Sequence, residues 1–214
     1  MAGILVSLEG QDAAGKSTML VLLAEGLKRK NIPYTEVPEF SDNVLGAFIK
    51  QILKENKFIR LNVPGPSAFT ETLYLLGDLY SQDEAKIKPA LREGKVVIKE
   101  RHADSILACQ IPKIINDYPE KNEAEMWGWL ERVLIQLAVP DLTFFLDVED
   151  SILRERIIGR GEQMTESDLM IFRRRQEIYN QLAERNRKRW VILKNNEEPE
   201  EVVRQMLETI LSCL

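Results

Sequence analysis

The chain has 214 residues and a formal net charge of −5, with 34 acidic residues mixed among 29 basic ones. This length fits one compact domain with a substantial core, and the acidic balance excludes the strongly basic class of nucleic-acid-binding proteins. Two cysteines, no secretory signal and no apolar stretch of membrane-spanning length predict a cytoplasmic protein with no membrane partner and no nucleic-acid partner.

The first predicted element is a short apolar strand, Ile4–Leu8, followed by a glycine-rich turn. Residues 10–18 read GQDAAGKST, which contains the spacing G-x-x-x-x-G-K-S. The backbone N–H groups of such a turn face phosphate oxygens, while Lys16 reaches the β- and γ-phosphates and the Ser17 hydroxyl ligates Mg²⁺. A helix predicted over Ser17–Arg29 adds its positive dipole end to the same anion. The turn therefore predicts a nucleotide-binding site.

Strands and helices alternate along the rest of the chain. Further strands are predicted at Tyr34–Val37, Val96–Ile98, Leu142–Leu146 and Trp190–Leu193. Further helices are predicted at 44–53, 68–91, 126–138, 152–158, 166–187 and 200–211. Alternation of this kind favours parallel strands, right-handed crossovers and ligands at the carboxyl ends of the strands. We predict an α/β fold of the P-loop NTPase type, a three-layer, doubly wound parallel sheet of five strands, in a single domain over residues 1–214.

A charged triplet, Glu100-Arg101-His102, follows the third predicted strand. It is therefore expected at the edge of the sheet where ligands bind. The Glu100 carboxylate there can hold Mg²⁺ through water or accept a proton, and Arg101 can hold a second phosphate bidentately. The alternative is a charged loop that merely ends a strand.

Two arginine-rich segments are candidates for phosphate binding. Arg154, Arg156 and Arg160 precede Gly161 in a predicted lid over residues 154–167, and a positive group delivered by such a loop would stabilise charge on a transferring phosphoryl group. For Arg156, a solvated helix face is the favoured interpretation. Arg173–Arg175 belongs to a second basic stretch, which is either a solvated face or a further source of phosphate-binding arginines.

Four segments, in this order, resemble the thymidylate kinase family of nucleoside monophosphate kinases. Residues 9–18, EGQDAAGKST, are similar to its E-G-x-D-x-x-G-K-S-T turn, and residues 100–110, ERHADSILACQ, resemble its D-R-Y/H-x-x-S-x-x-A-Y-Q segment. Residues 140–148, PDLTFFLDV, match its P-D-L-T-x-x-L-D-V strand. Phe172, Arg174 and Tyr179 fall on its F-x-R…Y-x-x-L-A helix.

The resemblance implies that ATP donates its γ-phosphate to the 5′-phosphate of a nucleoside monophosphate, with dTMP to dTDP as the first expectation. It implies ATP and Mg²⁺ as cofactors and a homodimeric assembly. The implied catalytic residues are Lys16, Glu100, Arg101 and Arg160, and the implied metal site is Ser17 with Glu100. The implied ATP-binding residues are Gly10, Asp12, Ala13, Ala14, Gly15, Lys16, Ser17 and Thr18. The implied acceptor-binding residues are Asp12 (at the 3′-hydroxyl), Pro38, Glu39, Tyr74, Leu75, Asp78, Leu79, Arg101, Ser105, Cys109 and Gln110.

The chain departs from the family pattern where the acceptor base and sugar bind. Leu75 stands at the family's aromatic position and Leu79 at its arginine position; a register one residue earlier places Tyr74 and Asp78 there instead. Cys109 replaces a tyrosine that packs on the deoxyribose in the family. A nucleoside monophosphate kinase for another base is therefore an alternative.

Two further alternatives belong to other functional classes. Glu100, where the family has aspartate, resembles deoxynucleoside kinases, in which a glutamate after a strand acts as base toward a nucleoside 5′-hydroxyl. Asp12, the glycines at 159 and 161 and the 140–148 strand favour the monophosphate kinase. The second alternative is a nucleotide-binding switch, which predicts slow ATP hydrolysis that no acceptor stimulates.

Overall fold

The computed structural model describes residues 3–55, 67–161, 165–196 and 198–214. The strands of these residues form one parallel sheet in the order β2–β3–β1–β4–β5. Their bounds are β1 Ile4–Gly10, β2 Tyr34–Val37, β3 Val96–Glu100, β4 Leu142–Asp147 and β5 Trp190–Lys194. The predicted five-stranded parallel α/β sheet is thus confirmed.

Helices connect consecutive strands, as parallel pairing requires. Their bounds are α1 Lys16–Arg29, α2 Val44–Glu55, α3 Ala68–Gln82, α4 Lys88–Arg92, α5 Ala103–Asp117, α6 Glu123–Leu134, α7 Asp150–Gly159, α8 Glu166–Arg185 and α9 Pro199–Cys213. The continuous helix predicted over 68–91 is instead α3 and α4 joined by a π-helical turn, Asp83–Ile87. The helix α5 was not predicted.

The sheet has an apolar core on each face because successive strand residues point to opposite sides. Phe144 packs on the side covered by α1 and α9, while its neighbour Phe145 packs on the side of α5, α6 and α8. The Phe145 ring lies 4.9 Å from the Tyr179 ring and 5.8 Å from the Trp190 ring, measured between centroids. Helices on both faces give the predicted three layers.

The central strands bring the two main sequence motifs together. In the β1–β3 ladder Leu8 is opposite Glu100, and the Arg101 N–H donates to the Leu8 carbonyl at 3.0 Å. The glycine-rich turn after β1 and the charged triplet after β3 therefore meet at one edge of the sheet. In the parts of the chain described, no helix has both the length and the apolarity needed to span a membrane.

Candidate active site

The glycine-rich segment connects the end of β1 to the start of α1. Gly10 and Gly15 have φ of 145° and 88°, and Ala13 has φ of 64°. Left-handed residues within such a turn create a concavity of backbone N–H groups that suits an anion. Lys16 is buried, and its ammonium group donates to the carbonyls of Gln11 at 2.7 Å and Gly10 at 3.3 Å. The turn thus holds the Lys16 ammonium beside the concavity that suits an anion.

Two side chains from distant segments support the outer side of this turn. Asn195 Nδ2 donates to the Ala14 carbonyl at 2.6 Å, and a Cβ added at Gly15 would lie 2.7 Å from that nitrogen. Arg156 donates to the carbonyls of Asn195 at 3.0 Å and Ala13 at 3.4 Å. The interpretation of Arg156 as a solvated helix face is therefore wrong, because its guanidinium braces the turn.

Ser17 and Glu100 lie side by side below the turn. The Ser17 hydroxyl donates to Glu100 Oε1 at 2.7 Å. Mg²⁺ prefers oxygen ligands and usually keeps several waters, so one hydroxyl and one carboxylate suffice on the protein side. No group of three or more His, Cys, Asp or Glu side chains suited to a metal occurs in the described ranges. The oxygen atoms of Ser17 and Glu100 are suitable ligands for an Mg²⁺ ion that is also bound to phosphate.

A polar cleft opens over the turn, and we call it the donor cleft after the phosphate donor that the resemblance implies. Its lining residues are Asp12, Ala13, Gly15, Lys16, Ser17, Thr18, Glu39, Glu100, Arg101 and Arg160. Arg160 follows α7 directly and lines the same cleft as Lys16. The predicted lid lies only partly within the described residues, since 162–164 fall outside them; Arg154, at its start, is exposed on α7.

A second cleft runs between α3 and α5, and we call it the acceptor cleft after the phosphate acceptor that the resemblance implies. Its lining residues are Asp12, Glu39, Phe40, Leu53, Glu71, Leu75, Asp78, Leu79, Arg101, His102, Ser105, Ile106, Cys109, Gln110, Lys113 and Arg175. Asp12, Glu39 and Arg101 line both clefts. The two spaces therefore adjoin at the Arg101 guanidinium.

Arg101 is the junction between the clefts and has φ of 56°. Its guanidinium donates to Asp12 Oδ1 at 2.6 Å, and its Nε lies 3.3 Å from Glu39 Oε1. It also donates to the hydroxyls of Ser105 at 3.2 Å and Tyr179 at 3.3 Å. Burial acts to lower the pKa of Arg101, but the two carboxylates hold that pKa well above its usual value. A permanently cationic fork thus faces both clefts.

Arg175, on α8, is a cleft residue outside the implied site. It is buried, and it donates to Asp12 Oδ2 at 2.8 Å. The Asp12 side chain is 53% exposed, so desolvation opposes its ionisation only in part, and Arg175 and Arg101 hold the pKa of that carboxyl well below its usual range. The sequence left residues 173–175 open between a solvated face and phosphate binding; Arg175 shares the helical face of the buried Ile178 and Tyr179, which directs it into the cleft.

The structure decides between the two registers of α3. Leu75 and Leu79 line the acceptor cleft, together with Asp78. Tyr74 does not line it: its ring packs edge-on against Phe48 of α2, with centroids 5.5 Å apart. The expectation that Tyr74 contacts the acceptor is thereby corrected, because a helix turns successive residues by about 100° and Tyr74 faces α2 when Leu75 faces the cleft.

Two of the residues that the resemblance implies for binding the phosphate acceptor form hydrogen bonds with other parts of the protein. Asp78 lines the cleft, but its carboxylate accepts hydrogen bonds from the Ser41 N–H at 2.9 Å and from the Ser41 hydroxyl. Pro38 is not among the lining residues; its carbonyl accepts from the Lys99 ammonium at 2.8 Å. Ser105, Cys109 and Gln110 also line the cleft.

Buried ionisable groups fix the start of α5 beneath the clefts. Glu9 Oε1 accepts from the His102 N–H at 2.8 Å, and Oε2 accepts from the Ser105 hydroxyl. Burial and the nearby Asp104 charge raise the pKa of Glu9 to about 7. Burial, with the charges of Lys99 and Arg189, lowers the pKa of His102 to about 3. His102 is therefore neutral at physiological pH.

Comparison with known proteins identifies the relatives of this chain. A family model described as thymidylate kinase matches residues 8–206. The thymidylate kinase of Halothermothrix orenii is 30% identical over 220 residues, covering 100% of this chain and 99% of that protein. That of Cutibacterium acnes is also 30% identical, covering 99% of this chain and 100% of that protein. The crystal structure of thymidylate kinase from Ehrlichia chaffeensis superposes with a TM-score of 0.70 at 20% identity, covering 98% and 100% of the two chains, which bears on the fold.

Proposed function

The chain belongs to the thymidylate kinase family, and from that membership we propose that it transfers the γ-phosphate of ATP to the 5′-phosphate of dTMP, giving dTDP and ADP. One observation supports two nucleotides reacting here: the donor and acceptor clefts share Asp12, Glu39 and Arg101. Phosphates bound in the two clefts would meet at Arg101.

In this proposal the cleft residues act by positioning and by charge. An oxygen of the acceptor phosphate forms the new bond to the γ-phosphorus, the bond from that phosphorus to the bridging oxygen breaks, and ADP leaves. Lys16 and Arg160 neutralise the transferring group, and Arg101 orients the acceptor phosphate. A phosphate monoester is already largely ionised at neutral pH, so its oxygen needs no general base.

Ser17 and Glu100 are the residues that would hold Mg²⁺. When bound, the ion would neutralise charge on the β- and γ-phosphate oxygens. This use of Glu100 also separates the proposal from the deoxynucleoside kinase alternative. Glu100 accepts a hydrogen bond from Ser17 and lines the donor cleft, whereas the buried cations Arg101 and Arg175 line the acceptor cleft. Two arginines suit an acceptor that carries a phosphate.

The test is coupled ADP release with ATP, Mg²⁺ and a panel of acceptors. We expect turnover with dTMP, none with thymidine, and loss of turnover on chelation of the divalent ion. Turnover with thymidine alone would support the nucleoside kinase instead. ATP hydrolysis that no acceptor stimulates would support the nucleotide-binding switch.

We also propose that the enzyme works as a homodimer in the cytoplasm. The family resemblance supports the dimer, and the two cysteines, Cys109 and Cys213, are both free, as suits a reducing compartment. Sedimentation of the purified full-length chain is expected to give twice the mass of one chain. A single-chain mass at micromolar concentration would contradict the dimer.

A further inference from the structure

A buried asparagine on the outer side of the glycine-rich turn is not among the residues used in the reaction proposed above. Asn195 follows β5 directly and is 2% exposed. Its main-chain N–H donates to the Asp147 carbonyl at 2.8 Å, and its main-chain carbonyl accepts from the Arg156 guanidinium at 3.0 Å. Because these hydrogen bonds tie the residue to the end of the sheet, its side-chain amide is held rigidly against the turn.

The amide of Asn195 controls the orientation of one peptide of the turn. Asn195 Nδ2 donates to the Ala14 carbonyl at 2.6 Å, across 181 positions of the chain. In a planar trans peptide the C=O and the N–H point in opposite directions. The Gly15 N–H shares its peptide with the Ala14 carbonyl, so it points away from Asn195 and toward the donor cleft, which Gly15 lines. The packing is close, since a Cβ added at Gly15 would lie 2.7 Å from the same amide nitrogen.

The preceding peptide of the turn is held in a different way. Its carbonyl, on Ala13, accepts from Arg156 at 3.4 Å, and its N–H, on Ala14, donates to the Gln11 carbonyl at 3.2 Å. This N–H is therefore used within the turn, and the bond from Arg156 is long for a hydrogen bond. The shorter bond, from Asn195, acts on the peptide whose N–H is directed at the cleft.

We propose that Asn195 is a positioning residue for the polyphosphate of ATP, which raises the affinity of the donor cleft for nucleotides by fixing the Gly15 N–H toward the phosphates. This inference rests on the proposed function, which makes ATP the ligand of the donor cleft. A donor that is already oriented binds an anion without the cost of reorganisation. Without the amide, the peptide between Ala14 and Gly15 can rotate, and its carbonyl oxygen then turns toward the anion.

The test measures nucleotide binding and turnover separately. Asn195→Ala is expected to raise the Kd for ATP and for ADP, measured by titration calorimetry without acceptor, by about tenfold, the range for a buried carbonyl that loses its partner. The KM for ATP should rise by the same factor, while the KM for dTMP stays unchanged. Asn196→Ala is the matched control: Asn196 forms its hydrogen bonds with Glu149 rather than with the turn, so this variant should keep wild-type affinity.

A second variant addresses the fold. Should Asn195→Ala lose its fold, which thermal unfolding reports, Asn195→Asp retains the shape of the side chain but has no N–H, and the same weakening is expected; Asn196→Asp controls for the added charge. Wild-type ATP affinity in a folded Asn195 variant, or an equal rise in KM for ATP and for dTMP, overturns the inference. Loss of the fold in both variants would assign Asn195 a structural role only and overturns it too. A wild type that binds ATP but transfers no phosphate to dTMP overturns the proposed function instead.

Discussion

The donor and acceptor clefts share three residues but are built in different ways. Most of the donor cleft comes from one continuous segment, residues 12–18, whose backbone conformation creates the anion site. The acceptor cleft is lined mainly by side chains of α3, α5 and α8, which lie far apart in the chain. A backbone site tolerates little change in its own motif, whereas a side-chain site can change its ligand one residue at a time. A substitution within the turn therefore disturbs the anion site itself, whereas a substitution in the acceptor cleft changes only which group the cleft contacts.

The largest expected effect tests the donor cleft. Lys16→Ala removes a preorganised charge from the transferring phosphoryl group, so we expect kcat to fall by roughly a hundredfold or more. Lys28→Ala, on the last turn of α1, is the matched control and should keep normal turnover. Near-normal turnover of Lys16→Ala at saturating ATP would remove Lys16 from the mechanism.

The next effect is on the support common to both clefts. The Lys99 ammonium donates to the carbonyls of Pro38 at 2.8 Å, Glu39 at 3.1 Å and Glu100 at 2.6 Å. These hydrogen bonds join the segment that follows β2 to the end of β3. Lys99→Met removes this donor and leaves the Pro38 and Glu39 carbonyls with only the longer hydrogen bonds from Gln82 Nε2, at 3.3 Å and 3.4 Å. We expect the free energy of unfolding to fall by about 2 kcal/mol. Urea titration measures this change, with Lys95→Met for comparison, at a half-buried lysine whose ammonium pairs with Glu93 at 2.6 Å. Equal stability of the two variants would show that water replaces the ammonium without cost.

A smaller effect distinguishes the two clefts kinetically. Arg175→Met is expected to lower kcat/KM for dTMP about tenfold, by removing a charged partner of Asp12 beside the acceptor, while the KM for ATP stays unchanged. Arg173→Met, exposed on the same helix, provides the control. A rise in KM for ATP alone would assign Arg175 to the donor cleft and would contradict its assignment to the acceptor cleft.

The smallest effect concerns pH. Because the pKa of Glu9 is raised to about 7 in the folded chain from an ordinary value of 4.5, the folded state keeps a proton that the unfolded state releases. Stability from this group therefore falls as pH rises from about 4.5 to about 7 and is constant above that. The glutamine of Glu9→Gln does not titrate, so it contributes no such fall in stability with pH, and it retains an acceptor for the His102 N–H. We expect the variant to gain at least about 1 kcal/mol on the wild type between pH 5 and pH 8; a pH-independent difference would place the Glu9 pKa near its ordinary value.

The sequence by itself determined the five strands, their parallel pairing and the phosphate-binding turn. These depend on local signals: apolar runs of strand length and a contiguous glycine motif. The helix α5 escaped prediction because Pro112 lies inside it, where a missing N–H normally ends a helix, and packing of Ile111 and Ile114 in the core overrides that preference.

Only the tertiary structure decided which side chains face each cleft. The choice of Leu75 over Tyr74 depends on how α3 is rotated against α2. The pairing of Arg175 with Asp12 joins positions 163 residues apart, and so no local pattern contains it. The contacts of Glu71 with Gln110 and Lys113 likewise exist because α3 and α5 pack together. Backbone motifs are local and can be read along the chain, whereas recognition by side chains depends on the relative placement of helices, which the whole core determines.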